Sequence, residues 1–384
     1  MNKNILKYES MLTNLRRDLH KIPEVGFEEF KTHEYIVEFL SKLDGLKIEA
    51  LAKTGIKAVL DIGAKETVAF RADIDALFVE EKNEIEFVST HKGYMHACGH
   101  DGHTAMLMTL AAFLTENKDK LNQNIVFIFQ PAEESTGGAT VMIEEGVLDS
   151  PKVNKIYAFH IWPAIPQGKI GVRAGGTLAA TTEFNIDIWG KSAHGASPHS
   201  GIDTIVAAAS IIEALQTVVT KNISPTMPAV LNVGKLTAGT VRNVVADHAR
   251  IEGILRSFDN DMHIFMEKRI DEITKGHEQV YGVKAEFSTA VKYPVVYNDA
   301  ALVQELYEIL DEDVVFENDL FLTAEDFAEY QKYVPGVLML LGAGNEEKGF
   351  TNPLHSSCFN FDEKIMLLGL ETVSKILKLK LEEN

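Results

Sequence analysis

Only two cysteines, Cys98 and Cys358, occur in the 384 residues. At most one disulfide can form, and a structural zinc site of the four-cysteine or three-cysteine type is excluded. The same scarcity suits a reducing, cytoplasmic compartment. Basic residues are also in short supply: 37 Lys and Arg face 56 Asp and Glu, for a formal net charge of −19. Such a surface repels phosphate backbones and anionic lipid heads, so neither nucleic acid nor a membrane is expected as a partner. Its plainest consequence is solubility. Long apolar runs are missing as well, and the strongest, around "AMLMTLAAFL", falls well short of the roughly 20 residues a membrane span needs. The opening "MNKNILKYES" has no apolar core followed by small residues, so no secretory signal is expected.

What remains is a globular balance, with 46% hydrophobic and 24% charged residues and no internal repeat. The length implies two or three domains. Toward the amino terminus the pattern predicts helices over "NILKYESMLTNLRRDLHKI", "FEEFKTHEYIVEFLSKL" and "GHTAMLMTLAAFLTEN". "KAVLDI" and "TVAFRA" read as strands, and "NIVFIFQ" and "KIYAFH" as strands covered on both faces. After "GKIGVRAGG" the order becomes strand, helix, strand, strand, helix, strand, from "EFNIDIWG" to "KAEFSTAV". That order makes a compact four-stranded sheet with two helices. Helix and strand then resume. The expected fold is therefore α/β in two domains. Residues 1–179 and 291–384 form a domain with a central, mostly parallel sheet, and residues 180–290 form an inserted four-stranded α+β domain.

The polar residues gather where the strands end. "NIVFIFQ" runs directly into "PAEE", placing Glu133 and Glu134 just past a buried strand, and "KIYAFH" ends on His160. Open α/β sheets bind ligands at the carboxyl ends of their strands, so these groups can converge on "MHACGHDGH", residues 95–103. Cys98 and His100, one residue apart, can both face one ion. Thiolate, imidazole and carboxylate together suit zinc or manganese, with nickel and cobalt as further fits, rather than magnesium or calcium. A Glu-Glu pair supplies one ligand and one carboxylate free to take a proton from water. Each histidine alone reads as a surface or core residue, and the bland reading of "PAEE" is a solvated turn. The set as a whole reads as a site.

Six ordered stretches, "HACGHDGHT", "FQPAEESTGGA", "FHIWP", "GKSAHGASPHSG", "GTVRNVV" and "PLHSSCF", resemble the metal-dependent aminoacylase and carboxypeptidase family. The likeness covers essentially the whole chain and is to the amidohydrolase branch, with its hippurate, auxin-conjugate and N-acetyldiaminopimelate hydrolases. The resemblance implies two divalent metal ions held by Cys98, His100, Glu134, His160 and His355, with Glu133 as general base. By its residues alone, His355 is only a histidine on a turn. Cys98 falls where relatives outside the branch carry a bridging aspartate, and Asp73 where they carry the histidine of a His-x-Asp motif. Asp75 is expected to orient a ligand. His96 and His103 are expected beside the site or on the surface, and Cys358 as a small buried apolar residue. "LGAGNEEKG" is not a dinucleotide loop, since no helix pattern follows it.

The expected activity is hydrolysis of the amide of an N-acyl amino acid, a small-molecule substrate, to a carboxylate and the free amino acid. Deacetylation of N-acetyldiaminopimelate is the first alternative, and "IPEVGFEEFKT" leans toward it; cleavage of a short peptide is the next. An inactive metal-binding protein on the same fold is the alternative from another class. Nucleoside deaminase chemistry is disfavoured because its Pro-Cys-x-x-Cys element is missing. The resemblance further implies a homodimer formed through the inserted lid domain, with His194 reaching the partner's metal site. Asn243 and Arg256, on the same small domain, are expected to bind substrate, Arg256 by its fixed guanidinium fork.

Overall fold

The computed structural model describes residues 2–381. In chain order the first helices are α1 (Lys3–Leu6), α2 (Glu9–His20) and α3 (Phe30–Leu40), followed by strands β1 (Leu46–Leu51), β2 (Gly55–Leu60) and β3 (Thr67–Asp73). Then come α4 (His100–Glu116), β4 (Asn124–Gln130), α5 (Gly138–Glu144), β5 (Lys155–Pro166) and β6 (Ile170–Gly171). The middle of the chain gives β7 (Ala180–Trp189), α6 (Thr204–Asn222), β8 (Ala229–Ala238), β9 (His248–Ser257), α7 (Asn260–Tyr281) and β10 (Lys284–Tyr293). The return supplies α8 (Ala300–Ile309), β11 (Val315–Phe316), α9 (Phe327–Tyr330), β12 (Gly336–Gly344) and α10 (Ile365–Ile376).

The chain divides into two compact units, one with residues up to 175, 297–319 and from 326 onward, the other with 176–296 and 320–325. In the two-ended unit an eight-stranded sheet runs β1-β2-β4-β3-β5-β12-β6-β11. Its centre is parallel, β4 beside β3 beside β5 beside β12, and the outer pairs β1–β2, β2–β4 and β12–β6 are antiparallel. Every residue of β2, β3 and β4 is buried, as near-continuous apolar strands covered on both faces must be. Lys57 in β2 is kept there by its ammonium group, which donates to the carbonyls of Gly146 and Asp149.

Helix α4 is buried from His100 to Leu114, and its apolar length packs with β3, β5 and α10 in one core. The pattern predicted a single helix through residues 4–22, and the chain instead makes one turn and restarts at Glu9. The break falls where Lys7 and Tyr8 both turn to Glu116, with Tyr8 Oη donating at 2.6 Å.

The middle unit is a four-stranded antiparallel sheet, β10-β7-β9-β8, with α6 and α7 on it. Phe184, Ile186 and Ile188 of β7 meet Ala207, Ile211 and Leu215 of α6 and Met266 and Ile270 of α7. Asp203 and Asp259 accept the first free N–H groups of α6 and α7. Among the described residues, α6 is the helix long and apolar enough to cross a membrane by length and composition.

Candidate metal centre

Parallel pairing sets the carboxyl ends of β3 and β4 level with His160, which lies inside β5, since that strand runs on to Pro166 instead of ending at the histidine. Strand β3 delivers Asp73 and, two residues on, Asp75. Strand β4 leads into the turn that carries Glu133 and Glu134, and β5 carries His160. Gly99, at φ +88°, lets the backbone turn sharply between Cys98 and His100, the first residue of α4. His355 arrives from the far end of the sequence. Its backbone N–H donates to the carbonyl of Ala97 at 2.8 Å, which fastens it beside Cys98.

These side chains converge as overlapping groups. The ligand atoms of Cys98, His100 and His160 lie within 4.8 Å of one another, as do those of Cys98, Glu134 and His355 and those of His100, Glu133 and Glu134. Cys98 Sγ is 3.6 Å from His160 Nε2, and His355 Nε2 is 3.0 Å from Glu134 Oε1. The imidazoles are aimed by their outer nitrogens. His100 Nδ1 faces the carbonyl and Oδ1 of Asp75, and His160 Nδ1 donates to the carbonyl of Ile161 at 2.9 Å. Nε2 of each ring is thereby turned inward, which is how ligating histidines are fixed. Nε2 of His100 is buried with no hydrogen-bond partner among the described residues.

The charges point the same way. Burial alone would lower His100, but the carboxylates of Asp73, Asp75 and Glu134 outweigh it and hold it at about 10. A field that strong holds a cation, whether a proton or a metal ion. Burial, with His103 and His100 close by, pushes His160 down to about 3, so its lone pair is available. Burial and then the charges of Glu134 and Glu133 drive the Cys98 thiol well up. Its thiolate therefore needs a cation beside it. A buried thiol, two inward imidazoles, a carboxylate and an unpartnered Nε2 fit divalent metal ions, and Cys98, belonging to two groups, suits a pair.

The sequence model described as Peptidase family M20/M25/M40 matches residues 69–379. The chain belongs to this family. It is a hydrolase of amide bonds. Among M20 relatives, the N-acetyldiaminopimelate deacetylase of Anoxybacillus flavithermus is 37% identical over 379 residues, 96% of this chain and 97% of that protein. A crystal structure of a putative aminohydrolase from methicillin-resistant Staphylococcus aureus is 36% identical, with a TM-score of 0.93 and coverage of 98% of this chain and 99% of that one. The Bacillus subtilis protein YXEP, described as a dinuclear metal-binding peptidase of the M20 family, is 32% identical with a TM-score of 0.84, covering 97% and 98%.

Within this M20 chain, Asp73 borders the inward-facing groups, its Oδ2 3.7 Å from Nε2 of His100, and is also held from behind. Its Oδ1 accepts from His103 Nδ1 at 2.6 Å and its Oδ2 from Arg71 at 2.7 Å. His103 Nε2 accepts the backbone N–H of Ile161 at 2.8 Å, so both ring nitrogens of His103 are occupied. His103 and His96 are both buried and neither lies on the surface. Cys358 is half-buried, its carbonyl accepting from Asn352.

In the middle unit, His194 bridges Val244 on the antiparallel side, and Gly195 N–H donates to the carbonyl of Asn243 at 2.8 Å. The fold thus brings His194 and Asn243 side by side. Arg256 sits on β9, half-buried, with Nη1 unpartnered among the described residues.

Sequence reasoning missed several participants. Arg16 and His20 both meet Asp101 Oδ2, at 2.9 and 2.8 Å, directly behind His100. Arg71 and Gln130 meet at Asp326, and Glu29 reaches the turn before Glu133. Asp101 was visible inside "GHDGH". Glu29 and Gln130 lie within "IPEVGFEEFKT" and "FQPAEESTGGA", but the pairing of these residues was not legible, because their partners are remote in the chain.

Proposed function

We propose that the chain is a metal-dependent N-acyl-amino-acid deacylase whose substrate is an N-acetylated diamino dicarboxylic acid, as in N-acetyldiaminopimelate deacetylases. The observation that carries the reading is Cys98 standing in two ligand groups beside the Glu133–Glu134 pair. Likeness over nearly full length to deacetylases from several bacteria supports the substrate class, at 37% and 39% identity in two of them. The broader reading, hydrolysis of N-acyl amino acids at large, rests on Nη1 of Arg256, which has no hydrogen-bond partner among the described residues and suits any carboxylate.

Cys98, His100, Glu134, His160 and His355 would hold two divalent ions, with zinc or manganese favoured by the donor set. When bound, the ions supply Lewis acidity toward the carbonyl and lower the pKa of water. Glu133 takes the proton of the attacking water and returns it to the leaving nitrogen. Asp75 keeps His100 and Glu134 in register. His194 donates to the developing oxyanion, while Asn243 and Arg256 bind the substrate's polar groups and carboxylate.

The two-ended unit is read as the catalytic domain and the middle unit as a lid through which two chains pair, in keeping with a cytoplasmic homodimer. The free edge of β8 and the exposed Ile205, Val206, Leu236, Val241 and Val244 of that unit support the pairing. The test is a panel of N-acyl amino acids with the protein reconstituted in zinc or manganese. N-acetyl-diaminopimelate is expected to give the highest kcat/KM. A preference for long-chain or aromatic acyl groups, or no amide hydrolysis at all, would overturn the reading.

A further inference from the structure

Ala132, directly before Glu133, has φ +57°, a left-handed conformation in a residue that carries a Cβ. Such a conformation is unfavourable and persists only where its surroundings over-determine it. Three restraints surround it. The carbonyl of Ala132 accepts N–H groups of Gly137 and Gly138 at 3.1 and 3.3 Å. Gly26 presses so closely that a Cβ there would collide with Ala132 and Ser135. The N–H of Ala132 donates to Oε1 of Glu29 at 2.9 Å.

Glu29 is itself fully buried, and its Oε2 accepts the hydroxyl of Thr54 at 2.6 Å. What distinguishes this turn is the residue it aims. We infer that Glu29 is a positioning residue for Glu133: by holding the N–H of Ala132 it fixes the left-handed turn from which the general-base carboxylate projects. The inference rests on the reading of Glu133 as the base.

The experiment uses the metal-reconstituted full-length protein with Glu29→Ala, Glu29→Asp and Glu29→Gln. Glu29→Ala loses the anchor, and kcat is expected to fall ~10–10²-fold, the scale set by misplacing a reacting group by about 1 Å. KM and metal content should stay at wild-type values, and a crystal structure should show residues 131–133 leaving the left-handed turn. Glu29→Asp, which draws the carboxylate back by one methylene, tests the same point if the alanine variant does not fold, and should lower kcat ~10-fold. Glu29→Gln should restore kcat, since its oxygen accepts from Ala132 and its amide donates to Thr54. Wild-type kcat in both Glu29→Ala and Glu29→Asp would overturn the inference, as would loss of metal in proportion to activity or a crystal structure with Glu133 unmoved. If the wild type hydrolyses no amide, the functional reading fails by itself, and the crystal structure of Glu29→Ala still decides whether Glu29 holds the turn.

Discussion

Asp75 Oδ1 stands 3.2 Å from Nδ1 of His100. Its other oxygen accepts the backbone N–H of Glu134 at 2.9 Å, so one carboxylate ties together two of the inward-facing groups. Asp75→Asn keeps the shape and removes the charge. Metal affinity is expected to fall 10–100-fold, as it does when a partner behind a ligand is lost. Titration with a competing chelator measures it, and unchanged affinity would reduce Asp75 to a packing residue.

Glu133→Gln separates binding from proton transfer. The variant should retain full metal content while turnover drops about 10²–10⁴-fold. Metal analysis beside a single-turnover assay reads both quantities. Near-native turnover would move the base elsewhere.

Stripping the metal should cost stability as well as activity. The described centre gathers Glu134, Asp73 and Asp75 around His100 in a buried space, a density of negative charge that calls for cations. Because an ion bound only by the native state stabilises it by mass action, chelation is expected to lower Tm by several degrees, with recovery on adding zinc or manganese. Cys98→Ala should show a smaller effect of chelation than the wild type. Equal Tm with and without chelator would speak against a built metal site.

Glu29 makes stability depend on pH. Burial first of all raises its carboxyl to about 7 from the ordinary 4.5, with the charge of Asp75 adding to it. The native state therefore binds this proton more tightly than the unfolded chain. The stability it contributes is complete below about pH 4.5 and is lost as pH rises through about 7. The loss is on the order of 3 kcal/mol. Denaturant unfolding of Glu29→Gln should show a flatter pH dependence across that window, and a parallel profile would refute the assignment.

Mixing tests whether His194 acts across a dimer. His194→Ala and Glu133→Gln should each be nearly inactive, the former by about 10²-fold or more with metal intact. Exchanged heterodimers hold one composite site with both groups present and should recover part of the activity. No recovery despite demonstrated subunit exchange would rule out the shared site.

Short-range chemistry was legible in the sequence. Glu133 and Glu134 announce themselves because they follow the end of a buried strand, where polar residues need a reason, and Cys98 and His100 by their crowding in one short stretch. His160 reads as a strand end, although β5 runs on to Pro166. The alternation of β7 to β10 with α6 and α7 was equally legible, since burying one face imposes a period of two on strands and 3.6 on helices. The break between α1 and α2 was not, because it depends on Glu116, far along the chain. His355 read as inert by its residues alone. The resemblance names it as a ligand, and the bond from its N–H to Ala97, with Nε2 3.0 Å from Glu134, puts it beside Cys98.

Local pattern thus determined which residues are chemically able: the thiol, the imidazoles, the paired carboxylates and the faces that must be buried. Tertiary structure decided which of them act together. It tied Asp73 to Arg71 and His103 while leaving it 3.7 Å from His100, joined His100 to Glu134 through Asp75, and set Glu29 under Ala132. The physical reason is that a hydrogen bond is specific to within a few tenths of an ångström. Which distant residues reach that range is fixed only when the whole core closes.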